Sequence, residues 1–217
     1  MKATFNLEKK LWPRKCVVIG VDEVGRGALA GPLTVGAVCF KPNWMNDDWK
    51  ILQKIGIQDS KVLSPKKRKE LCAPIKKYAL AHSTASSTVE DIDMYGITRV
   101  TCTLFNKVVQ NVLVHLPNDM TVFVLVDGKI IPPFENVEKD LVMTVIDGDA
   151  KSISIAAASI IAKVDRDQQM THLAKDFPHY RWELNKGYGT KLHIEALHEY
   201  GASFLHRKKF IDSIIFN

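Results

Sequence analysis

Three short apolar runs in this chain each end in acid. Residues 16–21 (CVVIGV) lead into Asp22-Glu23, residues 121–126 (TVFVLV) into Asp127-Gly128, and residues 141–146 (LVMTVI) into Asp147-Gly148-Asp149. Runs of this length, rich in β-branched residues and bounded by turn residues, are buried strands. Charge is costly to bury, so each acid belongs where its strand ends. That edge is where α/β proteins place ligands. Two parallel neighbouring strands that both end in acid bring those acids together.

The remaining pattern completes an α/β reading. Residues 33–40 (LTVGAVCF) form a second strand and residues 81–90 a third. Ser64-Pro65 opens a helix, with Ser as N-cap and Pro at the first helical position, running to about residue 80. Ile97, Val100, Leu104, Val108 and Val112 recur at helical spacing, and that helix ends before Pro117. A long helix spans residues 152–175, and its Ala156-Ala157-Ala158-Ser159 stretch lets it sit close to a sheet. Residues 192–200 form a helix stopped by Gly201. Two strands pairing early, then strands alternating with helices, predict a mixed five-stranded sheet flanked by helices. With no repeat, linker or composition break, residues 1–217 read as one domain, with residues 178–217 as a small helical extension and the whole as a monomer.

Composition narrows the partners. Of 217 residues, 46 % are hydrophobic and 25 % charged, the balance of a globular protein. No stretch approaches the ~18 uninterrupted apolar residues of a membrane span. The opening MKATFNLEKKLWPRK has no apolar core for a signal peptide, so the expected location is cytoplasmic. Cys16, Cys39, Cys72 and Cys102 form no C-x-x-C pair and sit in apolar stretches, as buried thiols of a reducing compartment do. The 30 basic residues exceed the 24 acidic ones, giving a net charge of +6, which points to a polyanionic partner only weakly.

After Asp22-Glu23 comes Gly25-Arg26-Gly27-Ala28-Leu29-Ala30-Gly31-Pro32. A glycine-rich turn after a strand resembles a dinucleotide fingerprint, but that motif aims a helix N-terminus at a pyrophosphate. Here two acids stand beside it, and Pro32 and a β-branched run follow, so no helix opens. The glycines instead suit a tight loop whose backbone N–H groups approach a phosphate or sugar, with Arg26 as counter-charge. Asp147 and Asp149 lie just before the long helix, and either could cap it or reach the edge held by Asp22, Glu23 and Asp127. Four clustered carboxylates repel one another without a cation. Ligation by oxygen alone points to Mg²⁺ or Mn²⁺ rather than zinc, and two such ions can activate water against a phosphodiester.

These blocks are those of a known family. VDEVGRGALAGPL, Asp59-Ser60-Lys61, VDG at 126–128, GDAKSISIAAASIIAKVDRD at 148–167 and KGYGT at 186–190 resemble the bacterial ribonuclease HII family, the type 2 ribonucleases H, in order and over nearly the whole chain. The resemblance implies a ribonuclease H-like fold and metal-dependent endonucleolytic cutting of RNA in RNA–DNA hybrids, with Mg²⁺ or Mn²⁺ as cofactor. It further implies incision 5′ to single ribonucleotides embedded in duplex DNA, leaving 3′-hydroxyl and 5′-phosphate ends. Carried over by motif, the catalytic and metal-binding acids are Asp22, Glu23, Asp127 and Asp149, and Asp147 is a decoy. Gly25, Arg26 and Gly27 match the loop that touches the ribose 2′-hydroxyl, Tyr188 matches the tyrosine on the junction sugar, and Ser60 and Lys61 match substrate contacts.

Other features remain two-sided. Lys66-Lys67-Arg68-Lys69 at a helix N-terminus opposes the dipole, which suits either phosphate contact or a solvated face. Arg207-Lys208-Lys209 reads as a phosphate rail or plain surface, and His193 and His198 as structural or surface. Against the family pattern, Asn185 stands where His is common, Asp165 where Thr is common, and Ser203 where Pro is frequent. The lack of a segment before the first motif disfavours the type III sister enzymes. In a regular strand Asp22 and Glu23 point to opposite faces, so Glu23 would serve through its backbone, through water, or from an irregular strand. A non-catalytic nucleic-acid binder is the rival reading; it accounts for the positive charge but not for acids that repel phosphate.

Overall fold

The computed structural model describes residues 2–14, 16–117 and 119–215. Its strands are β1 (Cys16–Val24), β2 (Thr34–Phe40), β3 (Ala79–Ser86), β4 (Thr121–Asp127) and β5 (Val142–Val145). They form one five-stranded sheet in the order β3-β2-β1-β4-β5. The β1–β2 and β2–β3 pairs are antiparallel, whereas β1–β4 and β4–β5 are parallel. The mixed sheet flanked by helices is therefore the architecture the sequence predicts.

The helices are α1 (Asn6–Leu11), α2 (Asp48–Lys54), α3 (Pro65–Tyr78), α4 (Val89–Tyr95), α5 (Ile97–Leu113), α6 (Ile153–Leu173), α7 (Trp182–Asn185), α8 (Lys191–Tyr200) and α9 (Lys208–Ile215). Alternation along β1 sorts its side chains between two cores. Cys16 and Val18 pack with α1, α3 and α6, joined by Phe40, Phe123 and Leu125. Val17, Ile19 and Val21 pack with Val100, Leu104, Phe105 and Val108 of α5. A third apolar cluster links Leu29 and Ala30 to Met170, Tyr180, Trp182 and Leu197, and it seats the C-terminal helical extension.

Helix α6 runs unusually close to the sheet, and two strand glycines allow it. A Cβ at Gly20 would lie 2.2 Å from the Ser154 carbonyl carbon, and one at Gly36 would lie 2.3 Å from the Ala158 carbonyl oxygen. Ala156, Ala157 and Ala158 supply the matching thin face and are fully buried. The small residues of the helix and the two glycines of the strands are halves of one contact.

Local boundaries differ in informative ways. The third strand starts at Ala79 and stops at Ser86, short of residue 90. Thr88 ends it by accepting from the Asp91 N–H while the Asp91 carboxylate accepts from the Thr88 N–H, a capping box that starts α4. Ser64 caps α3 as predicted, accepting from Lys67 N–H. Among the described residues, no helix is long and apolar enough to cross a membrane.

Candidate active site

Register carries the acids together. Val21 pairs with Val126 in the parallel β1–β4 ladder, so Asp22 and Asp127 follow at the same level on neighbouring strands. Both sit at positions of the strand that face α6. Asp149 arrives from the short helical turn Gly148–Ala150 between β5 and α6. Carboxylate oxygens of Asp22, Asp127 and Asp149 all lie within 4.8 Å of one another, among the described residues. Asp127 also shapes the turn, because its Oδ1 accepts from Gly148 N–H at 2.6 Å.

Burial makes this cluster unstable as bare charge. Asp22 and Asp149 are each 4 % exposed. Burial lifts the Asp22 carboxyl well above the usual carboxylate range, and the charges of Asp127 and Glu23 push it further. Burial also raises Asp149, and the Lys61 ammonium 3.1 Å from its Oδ2 opposes that rise. Three oxygen donors with no nitrogen or sulfur among them suit a hard divalent cation, so the residues present fit the metal that the fold implies.

Glu23 lines the same cleft, but its carboxylate is not among the three that converge. β1 stays regular through Val24, so consecutive side chains leave on opposite faces. The Glu23 carboxylate faces Arg26, with Oε1 3.9 Å from Nη1, while its backbone N–H donates to Asp22 Oδ1 at 2.7 Å. Burial raises its carboxyl and Arg26 opposes the rise. Asp147 is exposed, with a left-handed backbone (φ 52°) that turns it away from the cluster.

The substrate-contact candidates line the same cleft: Gly25, Arg26, Gly27, Ser60, Lys61 and Tyr188 surround Asp22 and Asp127. Gly27 is exposed; Gly25 has φ 91°, a left-handed value that favours glycine, and a Cβ there would lie 2.1 Å from Arg166 Nε. Arg26 is held by Thr98 and Thr101 of α5. Ser60 is buried and shares a 2.9 Å hydrogen bond with Ser159 of α6, and Ser159 partly offsets the rise that burial imposes on the Asp22 carboxyl. Lys61 is exposed.

Several basic residues turn out to be braces. Arg207 is fully buried and donates to the carbonyls of Arg26 and Gly31, so it is neither rail nor surface; Lys208 and Lys209 beside it are exposed. Arg68 is buried as well, donating to the Ser60 and Leu63 carbonyls, while Lys66, Lys67 and Lys69 are exposed. Arg166, fully buried, donates to Pro32, Lys186 and Ala30 carbonyls and stacks 5.3 Å from the Tyr188 ring centroid. It thereby ties the glycine loop to the Tyr188 loop. Lys163 adds a second cation 5.6 Å from that ring. Sequence reading missed Arg166 and Lys163, although helical spacing with Ser159 places all three along one side of α6. Asn185 has its own local role: its amide donates to the Tyr180 carbonyl and accepts from Gly187 N–H.

Comparison with known proteins gives the family and the fold. The family profile of ribonuclease HII matches residues 19–213. The ribonuclease HII of Ehrlichia chaffeensis is 40 % identical over 208 residues, covering 94 % of this chain and 90 % of that protein. The structure of the PCNA:RNase HII complex from Archaeoglobus fulgidus contains a similar chain, with a TM-score of 0.72 and 25 % identity over 90 % of this chain and 94 % of that one. Bst-RNase HIII in complex with Mn²⁺ shares the fold, with a TM-score of 0.72 and 18 % identity over 93 % of this chain and 71 % of that one.

Proposed function

The chain belongs to the ribonuclease HII family and is a type 2 ribonuclease H acting on RNA–DNA hybrids; on that premise we propose that it also incises duplex DNA 5′ to single embedded ribonucleotides, leaving 3′-hydroxyl and 5′-phosphate ends. The observation that carries this is one cleft holding both the Asp22–Asp127 edge and the Gly25–Arg26–Gly27 loop with Tyr188. A lone ribonucleotide differs from its neighbours only by a 2′-hydroxyl, so a backbone loop beside the acids is the contact that could detect it.

Asp22, Asp127 and Asp149 would hold Mg²⁺ or Mn²⁺, with Glu23 reaching the site through its backbone or water. Bound there, such ions would supply an activated water for in-line attack and charge stabilisation for the departing 3′ oxygen. The exposed Gly27 can bring its N–H to the 2′-hydroxyl without steric hindrance, and Arg26, braced by two threonines, faces a flanking phosphate. Lys61 approaches the phosphates from the opposite wall, with Ser60 buried beside it and held by Ser159. The Tyr188 ring, fixed from behind by Arg166, packs on the sugar at the RNA–DNA junction. The C-terminal extension contributes by carrying that loop.

The test is duplex DNA carrying one ribonucleotide, incubated with and without Mg²⁺ or Mn²⁺. We expect a metal-dependent nick 5′ to the ribonucleotide whose 3′ end a DNA polymerase can extend. Cutting of long hybrids without any nick at the single ribonucleotide would sink the finer proposal.

A further inference from the structure

Two buried histidines lie behind the Tyr188 loop, outside the cleft. His193 is 0 % exposed and His206 is 2 % exposed. Their Nε2 atoms stand 3.1 Å apart. His193 Nδ1 is 3.0 Å from the Tyr188 carbonyl oxygen, and His193 Nε2 is 3.0 Å from Trp182 Nε1. His206 Nδ1 is 3.0 Å from the Ser203 backbone nitrogen.

The partners at the two ends dictate where the protons sit. The Ser203 N–H can only donate, and the Ser203 hydroxyl, also 3.0 Å from His206 Nδ1, can take either role, so the N–H decides: Nδ1 accepts and the His206 proton lies on Nε2. That proton points at His193 Nε2, which must therefore be bare. The Trp182 N–H, also a pure donor, makes the same demand and shares the single lone pair of His193 Nε2 with the His206 N–H. The Tyr188 carbonyl can only accept, so the His193 proton lies on Nδ1. Both ends thus require the same pair of neutral tautomers, and every N–H runs one way, from Ser203 through His206 and His193 to the Tyr188 carbonyl.

The same segment reaches the other recognition loop. His206 bridges Ala30, and its neighbour Arg207 donates to the Arg26 carbonyl at 3.0 Å. We propose that His206 and His193 form a tautomer-locked relay whose role is to position Tyr188 against the Gly25–Gly27 loop, making them positioning residues for ribonucleotide recognition. This rests on the assignment of Tyr188 to the junction sugar. A third proton in the pair would set two N–H groups against each other. The rings facing the pair are those of Tyr180, Trp182 and His179, none of which accepts a charged N–H as a carboxylate would. Burial and the neighbouring imidazoles also hold His206 down to about 4, so the relay stays neutral through the range in which free histidine titrates.

Two measurements test it. Ring ¹⁵N shifts of the wild-type protein should show His206 as the Nε2–H and His193 as the Nδ1–H tautomer, both unchanged between roughly pH 6 and 8. The opposite tautomers, or titration of either ring in that range, would overturn the relay. The second is a double-mutant cycle. Glutamine places its amide over Nε2, so His193→Gln keeps the contacts to Trp182 and His206 but loses the donor to Tyr188; asparagine, over Nδ1, keeps that donor. His193→Gln should raise KM for a single-ribonucleotide duplex about 10-fold with kcat little changed, and His193→Asn should recover most of the loss. On a Tyr188→Ala background the glutamine variant should cost less than about 2-fold, because a residue acting only through Tyr188 has nothing left to position. Equal losses on both backgrounds would overturn the positioning role. Should Tyr188→Ala alone leave KM unchanged, the sugar-packing assignment falls and the positioning role with it, while the ¹⁵N shifts still decide the relay on the wild-type fold.

Discussion

Lys61 Nζ lies 3.1 Å from Asp149 Oδ2, joining a side chain that is 76 % exposed to one that is 5 % exposed. The ammonium compensates a buried carboxylate, yet it is free to swing out. Burial lowers its pKa, but the hydrogen bond and charge of Asp149, together with Asp22 and Asp59, raise it further, and the net direction is up. A cation entering between the aspartates would release Lys61 toward a phosphate. We therefore expect Lys61→Met to raise KM for nucleic acid by about 3- to 10-fold, the scale of one solvent-accessible charge contact. The metal concentration for half-maximal rate should stay level or fall, because a competitor has gone. A metal titration at fixed substrate separates the two effects; a higher metal requirement with unchanged KM would contradict this account.

The aspartate cluster predicts stabilisation by metal. With Asp22 raised by burial and by its neighbours, the folded metal-free protein binds more protons than the unfolded chain as pH rises from about 4. Stability from this group therefore falls with rising pH. Mn²⁺ or Mg²⁺ at ~100 times its dissociation constant should return about 2.7 kcal/mol at pH 7, or ~5–10 °C in Tm for a chain of this size. Asp22→Asn should raise the metal-free Tm and abolish most of the metal-induced gain in a thermal melt. Asp127→Asn should lower kcat by about 10³-fold or more while substrate binding persists in a gel-shift assay.

Two glycines should behave in opposite ways. Gly20→Ala places a Cβ 2.2 Å from the α6 backbone, so the helix must back away from the sheet. The expected cost is ~1–3 kcal/mol or more, read as a Tm drop of about 2–12 °C. Gly27→Ala meets no atom within 4 Å, so stability should hold while cutting at single ribonucleotides drops, since the methyl group intrudes where the sugar would lie. Circular dichroism melts alongside nicking assays distinguish the two.

Acid sensitivity should trace to the C-terminal extension. The folded-state value of His206, held down to about 4 by burial and then by His193, lies below the ordinary 6.5 of a free histidine. The unfolded chain therefore binds the extra proton first, and the stability this residue contributes is complete above roughly pH 6.5 and lost as pH falls toward 4. Urea midpoints measured between pH 7 and 4 should fall, and His206→Gln should flatten part of that slope.

Much of the molecule was legible in one dimension because it depends on local chemistry. The apolar runs announce β1, β4 and β5, Ser64-Pro65 announces α3, and acids at strand ends announce an edge where a ligand binds. What misled was also local. Thr88 looks like a strand residue until its hydroxyl finds Asp91 N–H three positions on. Arg68 and Arg207 look like surface charge because nothing nearby in sequence shows the carbonyls that bury them.

The sequence by itself determined the strands, the donor chemistry of Asp22, Asp127 and Asp149, and the family. Tertiary structure alone decided that Val21 faces Val126, which brings Asp22 and Asp127 level, that Glu23 turns toward Arg26, and that His206 meets His193 behind Tyr188. The physical reason is that apolar periodicity and capping act over a few residues, whereas parallel register and buried hydrogen bonds join segments far apart along the chain and take their geometry only when the sheet and α6 close around them.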